Sequence, residues 1–116
     1  MNIQGKIWGS TSELFNKNNV EIHRITCKQN GFCSKHKHIS KYNMFFVEKG
    51  KLEIDIWKEY GLIDKTILEE HQVCVVEPGS YHQFKCIEDK TIAFEVYWVE
   101  IGAKDIIRES VGGINE

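Results

Sequence analysis

Two stretches of this chain carry bulky apolar side chains at every second position, and this pattern most constrains the fold. Leu52 to Trp57 and Ile92 to Trp98 both follow it, and such alternation is typical of β-strands, whose successive side chains point to opposite faces. Similar short runs predict strands at 20–27, 44–49, 63–68, 73–76 and 82–87, with turn-like segments between them. Short strands at this spacing predict an all-β antiparallel sandwich or barrel.

The two ends of the chain are less regular. Ser10 to Asn16 fits one capped helical turn or a strand, and we expect a strand. Residues 110–116 contain two glycines and little apolar surface, so they are predicted to be a flexible tail. A length of 116 residues with 41% hydrophobic content suits one compact domain, which we place at 1–109.

Composition limits the partners of the protein. Fifteen basic and seventeen acidic residues give a formal charge of −2, and no long basic cluster is present, so nucleic acid is not an expected partner. No apolar stretch is long enough to span a bilayer or to form a leader, which predicts a soluble, cytoplasmic protein without membrane contact. The four cysteines include no Cys-x-x-Cys pair and are expected to be reduced thiols.

Three histidines form the candidate metal site. His36 and His38 lie two apart in an extended segment, which places both imidazoles on one face. His82 follows a Pro78-Gly79 turn at the start of a predicted strand. Three neutral imidazoles can converge on one divalent ion. His23 and His71 lack such a context and are interpreted as structural or solvent-facing.

The spacing of these residues resembles that of a known family. His36-x-His38, Asn43 and Gly50 form one motif, and Pro78-Gly79-x-x-His82 forms another. Together they resemble the two motifs of the cupin superfamily. The resemblance implies a small antiparallel jelly-roll β-barrel, in which two histidines and a glutamate from the first motif and a histidine from the second hold a divalent metal. By position, His36, His38 and His82 take the histidine roles.

The sequence departs from that pattern at the carboxylate ligand. Asn43 stands where the glutamate is expected, Glu77 where a proline is expected and Cys86 where an asparagine is expected. A neutral amide is a weaker ligand than a carboxylate, and hard ions lose most by the exchange. The site therefore favours Zn²⁺, Ni²⁺, Fe²⁺ or Cu²⁺ over Mn²⁺. Asn43 either contributes an oxygen to the metal or hydrogen-bonds a ligand histidine.

A second, weaker resemblance points to sugar phosphates. Short matches are similar to the cupin domain of type II phosphomannose isomerases and mannose-1-phosphate guanylyltransferases. They are Ile7-Trp8-Gly9-Ser10, Phe46 to Gly50, Glu95-Val96, Gly102 and Asp105-Ile106-Ile107-Arg108. This resemblance implies an isomerase-like enzyme that acts on a sugar phosphate.

The alternation of side chains indicates what could line the pocket. If His82 points inward, so do Phe84 and Cys86, and if Asn43 points inward, Phe45 and Val47 follow. The metal would then sit in a largely apolar cup. The predicted strand at 91–99 presents either Glu95 and Tyr97 or Phe94, Val96 and Trp98 to the pocket. Only the first set supplies acid/base groups.

Three functions are compatible with these residues. One is a metal-dependent enzyme acting on a small sugar-like or oxyanion-bearing metabolite, with Glu95 or Tyr97 as the proton carrier. The second is a non-catalytic cupin that binds a small ligand, and the third is an iron-dependent dioxygenase. Apolar residues of the first segments and the Trp98 strand also predict a homodimer. The residues singled out for this contact are Trp8, Phe15 and Trp98.

Overall fold

The computed structural model describes residues 2–100 and 109–115, and nine β-strands make up most of that part of the chain. In chain order they are β1 (Asn2–Lys6), β2 (Gly9–Lys17), β3 (Val20–Cys27), β4 (Tyr42–Lys49), β5 (Leu52–Trp57), β6 (Ile63–Leu68), β7 (Val73–Val76), β8 (His82–Cys86) and β9 (Thr91–Trp98). A single turn of 3₁₀-helix, Glu59–Gly61, links β5 to β6. No helix in the described ranges has the length and hydropathy needed to cross a membrane.

The strands form two antiparallel sheets. One has six strands in the order β1-β2-β3-β9-β4-β7, and the other has three in the order β6-β5-β8. Every pairing within them is antiparallel. The prediction of an all-β, jelly-roll type of fold is confirmed.

The hydrophobic core lies between the two sheets. Side chains of Ile25, Phe45 and Val47 from the large sheet meet Ile54 and Phe84 from the small one, and all five are at most 2% exposed. Asn43, His82 and Cys86 share those inner faces and are also buried. The predicted parity of β4 and β8 is therefore confirmed.

The strand predictions agree closely with the structure except at the beginning of the chain. The bounds of β3, β5, β6 and β7 are those predicted, and the stretch from Ser10 to Asn16 lies within β2. β1 was not predicted, because its sequence of Asn, Ile, Gln, Gly and Lys shows no alternating apolar pattern. Its partner in the sheet is β2, which β1 adjoins at the end of the strand order.

The turn between β1 and β2 is fixed to the rest of the barrel. The Trp8 ring packs edge-on against Phe84 with 4.9 Å between ring centroids, and the Lys28 N–H donates to the Trp8 carbonyl at 2.8 Å. Gly9 adopts a φ of 151°, and a Cβ there would overlap the Thr26 carbonyl. The β1–β2 hairpin is therefore held at one end of the barrel.

The remaining predictions about the chain concern its ends and its thiols. All four cysteines are free, and three of them are buried. Residues 109–115 are exposed and form neither strand nor helix, while the flexibility of this tail and the domain boundary at 109 stay predictions. Gly102 and the segment 105–108, which contribute to the sugar-phosphate resemblance, lie outside the described residues.

Candidate metal centre and adjoining cavity

Backbone hydrogen bonds bring the three histidines together. The segment that carries His36 lies beside β8, where the His36 N–H donates to the His82 carbonyl at 3.0 Å and the His82 N–H donates to the His36 carbonyl at 2.8 Å. The Gly79 N–H donates to the His38 carbonyl at 2.8 Å, so the Pro-Gly turn is attached to the same segment. The two predicted motifs are therefore adjacent in space.

The side chains of His36, His38 and His82 converge as predicted. One ring nitrogen from each lies within 4.8 Å of those of the other two. The ring centroids are 5.2 Å apart for His36 and His38, 4.5 Å for His36 and His82, and 5.5 Å for His38 and His82. Three imidazoles that converge in this way could hold one ion.

Two of the imidazoles are oriented by carbonyls two residues earlier in the chain. His36 Nδ1 lies 2.8 Å from the Ser34 carbonyl oxygen, and His82 Nδ1 lies 3.0 Å from that of Ser80. A carbonyl only accepts, so each Nδ1 carries the proton and donates it. Each Nε2 then keeps its lone pair for a metal, which is the usual role of such outer contacts.

Asn43 is buried beside the three histidines and contacts His82. It is 1% exposed, and its Oδ1 is 3.2 Å from His82 Nε2. With Nδ1 of His82 protonated, both of these atoms present lone pairs. Two ligands bound at about 2.1 Å to one ion, with about 100° between them, are about 3.2 Å apart. The pair therefore fits two positions around a cation.

The electrostatics of the group also suit a cation. His38 Nε2 is buried and has no hydrogen-bond partner among the described residues. Burial lowers the pKa of both His38 and His82, which keeps these imidazoles neutral near pH 7. Neutral imidazoles with free lone pairs bind transition metals, so the residues present fit the group that the motifs imply.

Glu95 and Tyr97 lie on the inner face of β9. The Tyr97 ring packs edge-on against His38 with 5.0 Å between ring centroids, and Glu95 lies two residues before Tyr97 on the same face of the strand. Glu95, Tyr97 and His36 line one cavity of about 290 Å³. Burial raises the pKa of Glu95 to about 7, with Tyr97 opposing the shift, and burial beside Glu95 raises the pKa of Tyr97. This face of β9 therefore supplies acid/base groups to the cavity.

His23 and part of the β1–β2 hairpin also line this cavity, which the sequence interpretation missed. His23 lies directly across from Glu95 in the β3–β9 pairing, and its ring is 5.8 Å from that of Tyr97. Its position at even spacing from the buried Ile25 and Cys27 was a usable signal for an inward side chain. Gln4, Lys6 and Thr11 join the lining from the hairpin, and no signal in the polar β1 sequence indicated this.

A larger cavity adjoins the same hairpin and shares Lys6, Trp8 and Ser34 with the smaller one. It measures about 620 Å³ and is lined by residues such as Ile7, Lys28 and Phe32. Among the residues that the structure describes, its lining contains no histidine and no carboxylate. The smaller cavity beside the histidines is therefore the better candidate for chemistry.

Comparisons by sequence identify no relative. No family model matches the chain. No curated protein matches it either.

Comparison of structures gives clear similarity at low sequence identity. KdgF from Halomonas sp. is 12% identical with a TM-score of 0.74, over 88% of this chain and 89% of that chain. The cupin domain of Cnp3 from Schizosaccharomyces pombe is 14% identical with a TM-score of 0.72, over 86% and 69%.

Oxalate decarboxylase from Bacillus subtilis, which is described with Mn(II) centres, is 14% identical with a TM-score of 0.75. The similarity covers 84% of this chain and only 27% of that one. Two antiparallel sheets, a converging histidine trio and these structural neighbours together show that the chain has the cupin fold.

Proposed function

We propose that this protein is a metal-dependent enzyme that acts on a small sugar-like or oxyanion-bearing metabolite. One observation carries the proposal: Glu95, an acid/base group, lines the same small cavity as His36 of the histidine trio. A substrate in that cavity would contact both the metal centre and a proton carrier. A more specific form of this proposal is the isomerisation of a sugar phosphate. It is supported only by the sequence resemblance to phosphomannose isomerases.

His36, His38 and His82 would hold the ion, and Asn43 would complete the set with its amide oxygen or orient His82. Three imidazoles and an amide favour Zn²⁺, Ni²⁺, Fe²⁺ or Cu²⁺. The Mn(II) centres belong to oxalate decarboxylase. In this chain the neutral Asn43 supplies no anionic oxygen, which makes Mn²⁺ the less favoured ion.

The protein groups near the ion are suited to proton transfer. When bound, the ion would polarise a carbonyl or hydroxyl group as a Lewis acid. Because the pKa of Glu95 is about 7, its carboxylate accepts a proton from the substrate near neutral pH and returns it to a neighbouring atom as the acid. Tyr97 lines the cavity beside this carboxylate. Such a transfer moves one proton between two substrate atoms and leaves the enzyme unchanged.

Deuterium exchange tests this proposal. The protein, loaded separately with each of the four favoured metals, is incubated in D₂O with a panel of ketoses and hydroxy acids, and NMR follows the C–H signals. We expect exchange with the parent protein and none with Glu95→Gln at equal metal content. Glu48→Gln is the control, because Glu48 pairs with Arg24 at 3.6 Å on the exposed side of β4.

The other outcomes separate the alternatives. Exchange by Glu95→Gln at the parental rate would contradict the proposed role of Glu95. Ligand binding without exchange would favour a non-catalytic small-ligand-binding cupin. Oxygen consumption by the Fe²⁺-loaded protein would favour the dioxygenase, since three histidines also bind that ion.

We also propose that the protein is a cytoplasmic homodimer. Four free thiols support a reducing compartment.

A row of apolar side chains crosses the outer face of the large sheet and supports self-association: Phe15, Ile22, Val96, Met44 and Val75, each opposite the next. Trp8 does not belong to this surface, contrary to the expectation from sequence, because it packs against the core.

A further inference from the structure

The candidate metal centre carries no negative charge of its own. Its three imidazoles are neutral when they bind a metal, and Asn43 contributes a neutral amide in place of the carboxylate. A divalent ion held there keeps its full double positive charge. Of the described residues that line the adjoining cavity, Glu95 is the single acid. Most of the positive charge of a bound divalent ion would therefore have to be balanced by a negatively charged ligand.

Lys6 adds a second positive charge at the edge of this cavity, where it also lines the larger one. It is the last residue of β1 and lines the cavity together with Gln4 and Thr11. Its ammonium forms no ion pair with any residue that the structure describes. The contact between Trp8 and Phe84 fixes the hairpin turn only two residues later, so the Lys6 backbone is held in place at the cavity.

From this arrangement we propose that the substrate is a small hydroxylated carboxylate and that Lys6 determines this specificity. The Lys6 ammonium pairs with the carboxylate, and Gln4 and Thr11 hydrogen-bond to neighbouring hydroxyl groups. A hydroxyl or carbonyl oxygen at the other end of the molecule would face the ion that His36, His38 and His82 would hold. A cavity of about 290 Å³ lies at the lower end of small-molecule sites and suits a ligand of this size. The inference rests on the proposed metal site.

Calorimetry with two matched probes tests the inference. Gluconate and sorbitol are six-carbon polyols that differ by one carboxylate, and each is titrated into the Zn²⁺-loaded full chain. We expect gluconate to bind at least tenfold more tightly than sorbitol. Lys6→Met should weaken gluconate binding roughly 10–100-fold, the range of one charge-assisted hydrogen bond, and leave sorbitol binding unchanged. Lys6→Arg should retain most of the preference.

Lys28→Met is the matched control, because Lys28 lines the larger cavity, as Lys6 also does, but not the cavity beside the histidines. It should bind gluconate like the parent. Metal content is measured for every variant, and all are expected to hold one ion. A parent protein that takes up no metal would overturn both the proposed function and this inference. A metal-loaded parent that binds both probes equally or neither, or a Lys6→Met variant with parental gluconate affinity, would overturn the inference alone.

Discussion

Asn43 is the residue that sets the charge of the candidate metal centre. It is almost fully buried, and its amide oxygen lies 3.2 Å from the free nitrogen of His82. The sequence resemblance identified this position as the one place where the ligand set differs from the family pattern. Whether its side chain would point inward depended on the parity of β4, and the burial of Phe45 and Val47 on the same face explains why it does.

Asn43→Glu is expected to tighten metal binding and to admit Mn²⁺, because it restores an anionic oxygen next to the histidines. Asn43→Ala should weaken Zn²⁺ binding by roughly 10–100-fold, as is typical when an outer contact of a metal site is removed. Competition with a chromogenic chelator measures both affinities. Equal Mn²⁺ affinity in the parent and in Asn43→Glu would contradict this account of the ligand set.

Glu95 gives the metal-free protein a predictable dependence on pH. Its pKa is raised by burial from 4.5 to about 7, so the folded state keeps a proton that the unfolded state has already released. The free energy of unfolding should therefore fall as pH rises from about 4.5 to 7. In Glu95→Gln this fall disappears, which should raise its stability relative to the parent above pH 7 by up to about 3 kcal/mol.

Urea denaturation of the two proteins at pH 4 and pH 8 measures the effect. For each protein, only the change in the free energy of unfolding between the two pH values is compared. Contacts that Glu95→Gln loses together with the carboxylate are missing at both pH values and cancel in this comparison. A difference between the two proteins that stays constant over this range would show that the pKa of Glu95 is not raised.

At the scale of the elements, the alternation of apolar and polar residues predicted most strands. It could not decide which side chains of each strand point toward the candidate site. The aliphatic residues of β5, Leu52, Ile54 and Ile56, share one face, so the burial of that face followed from the sequence. β9 carries large side chains on both faces, and only its position between β3 and β4 turns Glu95 and Tyr97 inward. The polar β1 gave no signal because its place in the sheet depends on backbone pairing with β2 and on the anchored Trp8.

The end of the first motif provides a prediction at this scale. Gly50 adopts a φ of 95°, and a Cβ there would overlap the Thr91 hydroxyl and lie 2.9 Å from the Thr91 Cα. Thr91 is fully buried, and its hydroxyl donates to the Glu88 carbonyl at 2.6 Å. Gly50→Ala should therefore combine backbone strain of about 1–3 kcal/mol with disruption of this contact.

Gly61→Ala is the matched control, because Gly61 has a φ of 74° but open space around its Cα. Gly61→Ala should be destabilised only by the backbone strain of a positive φ, because no neighbouring atom is displaced. Thermal unfolding of both variants compares the two positions. If Gly50→Ala were no less stable than Gly61→Ala, close packing against Thr91 would not be the reason for glycine at position 50.

At the scale of the whole molecule, the outer face of the large sheet offers the surface for a second copy. Its apolar row crosses five strands, which at about 4.8 Å per strand spans roughly 20 Å. Val75 is 45% exposed within this row. The sequence placed Phe15 and the Trp98 strand in the contact, but the complete row depends on the strand order and could not be predicted from alternation alone.

Sedimentation of the parent at micromolar concentration should show about twice the 13.5 kDa mass of one chain. Val75→Lys is expected to shift the protein to monomer, because it places a charge within the apolar row. Ile67→Lys is the control, since Ile67 is 52% exposed but belongs to the smaller sheet. A parent that sediments only as monomer, or a dimer unaffected by Val75→Lys, would contradict this surface assignment.

The most direct test of the whole account is the metal content of the untagged protein after incubation with Zn²⁺ and dialysis at pH 7.5. Elemental analysis should find one ion per chain in the parent and in His71→Ala, whose histidine stacks on Phe46 away from the trio. His82→Ala should hold none, because it removes a buried imidazole oriented by the Ser80 carbonyl. Full occupancy of His82→Ala by Zn²⁺ would place the metal elsewhere and contradict the central claim.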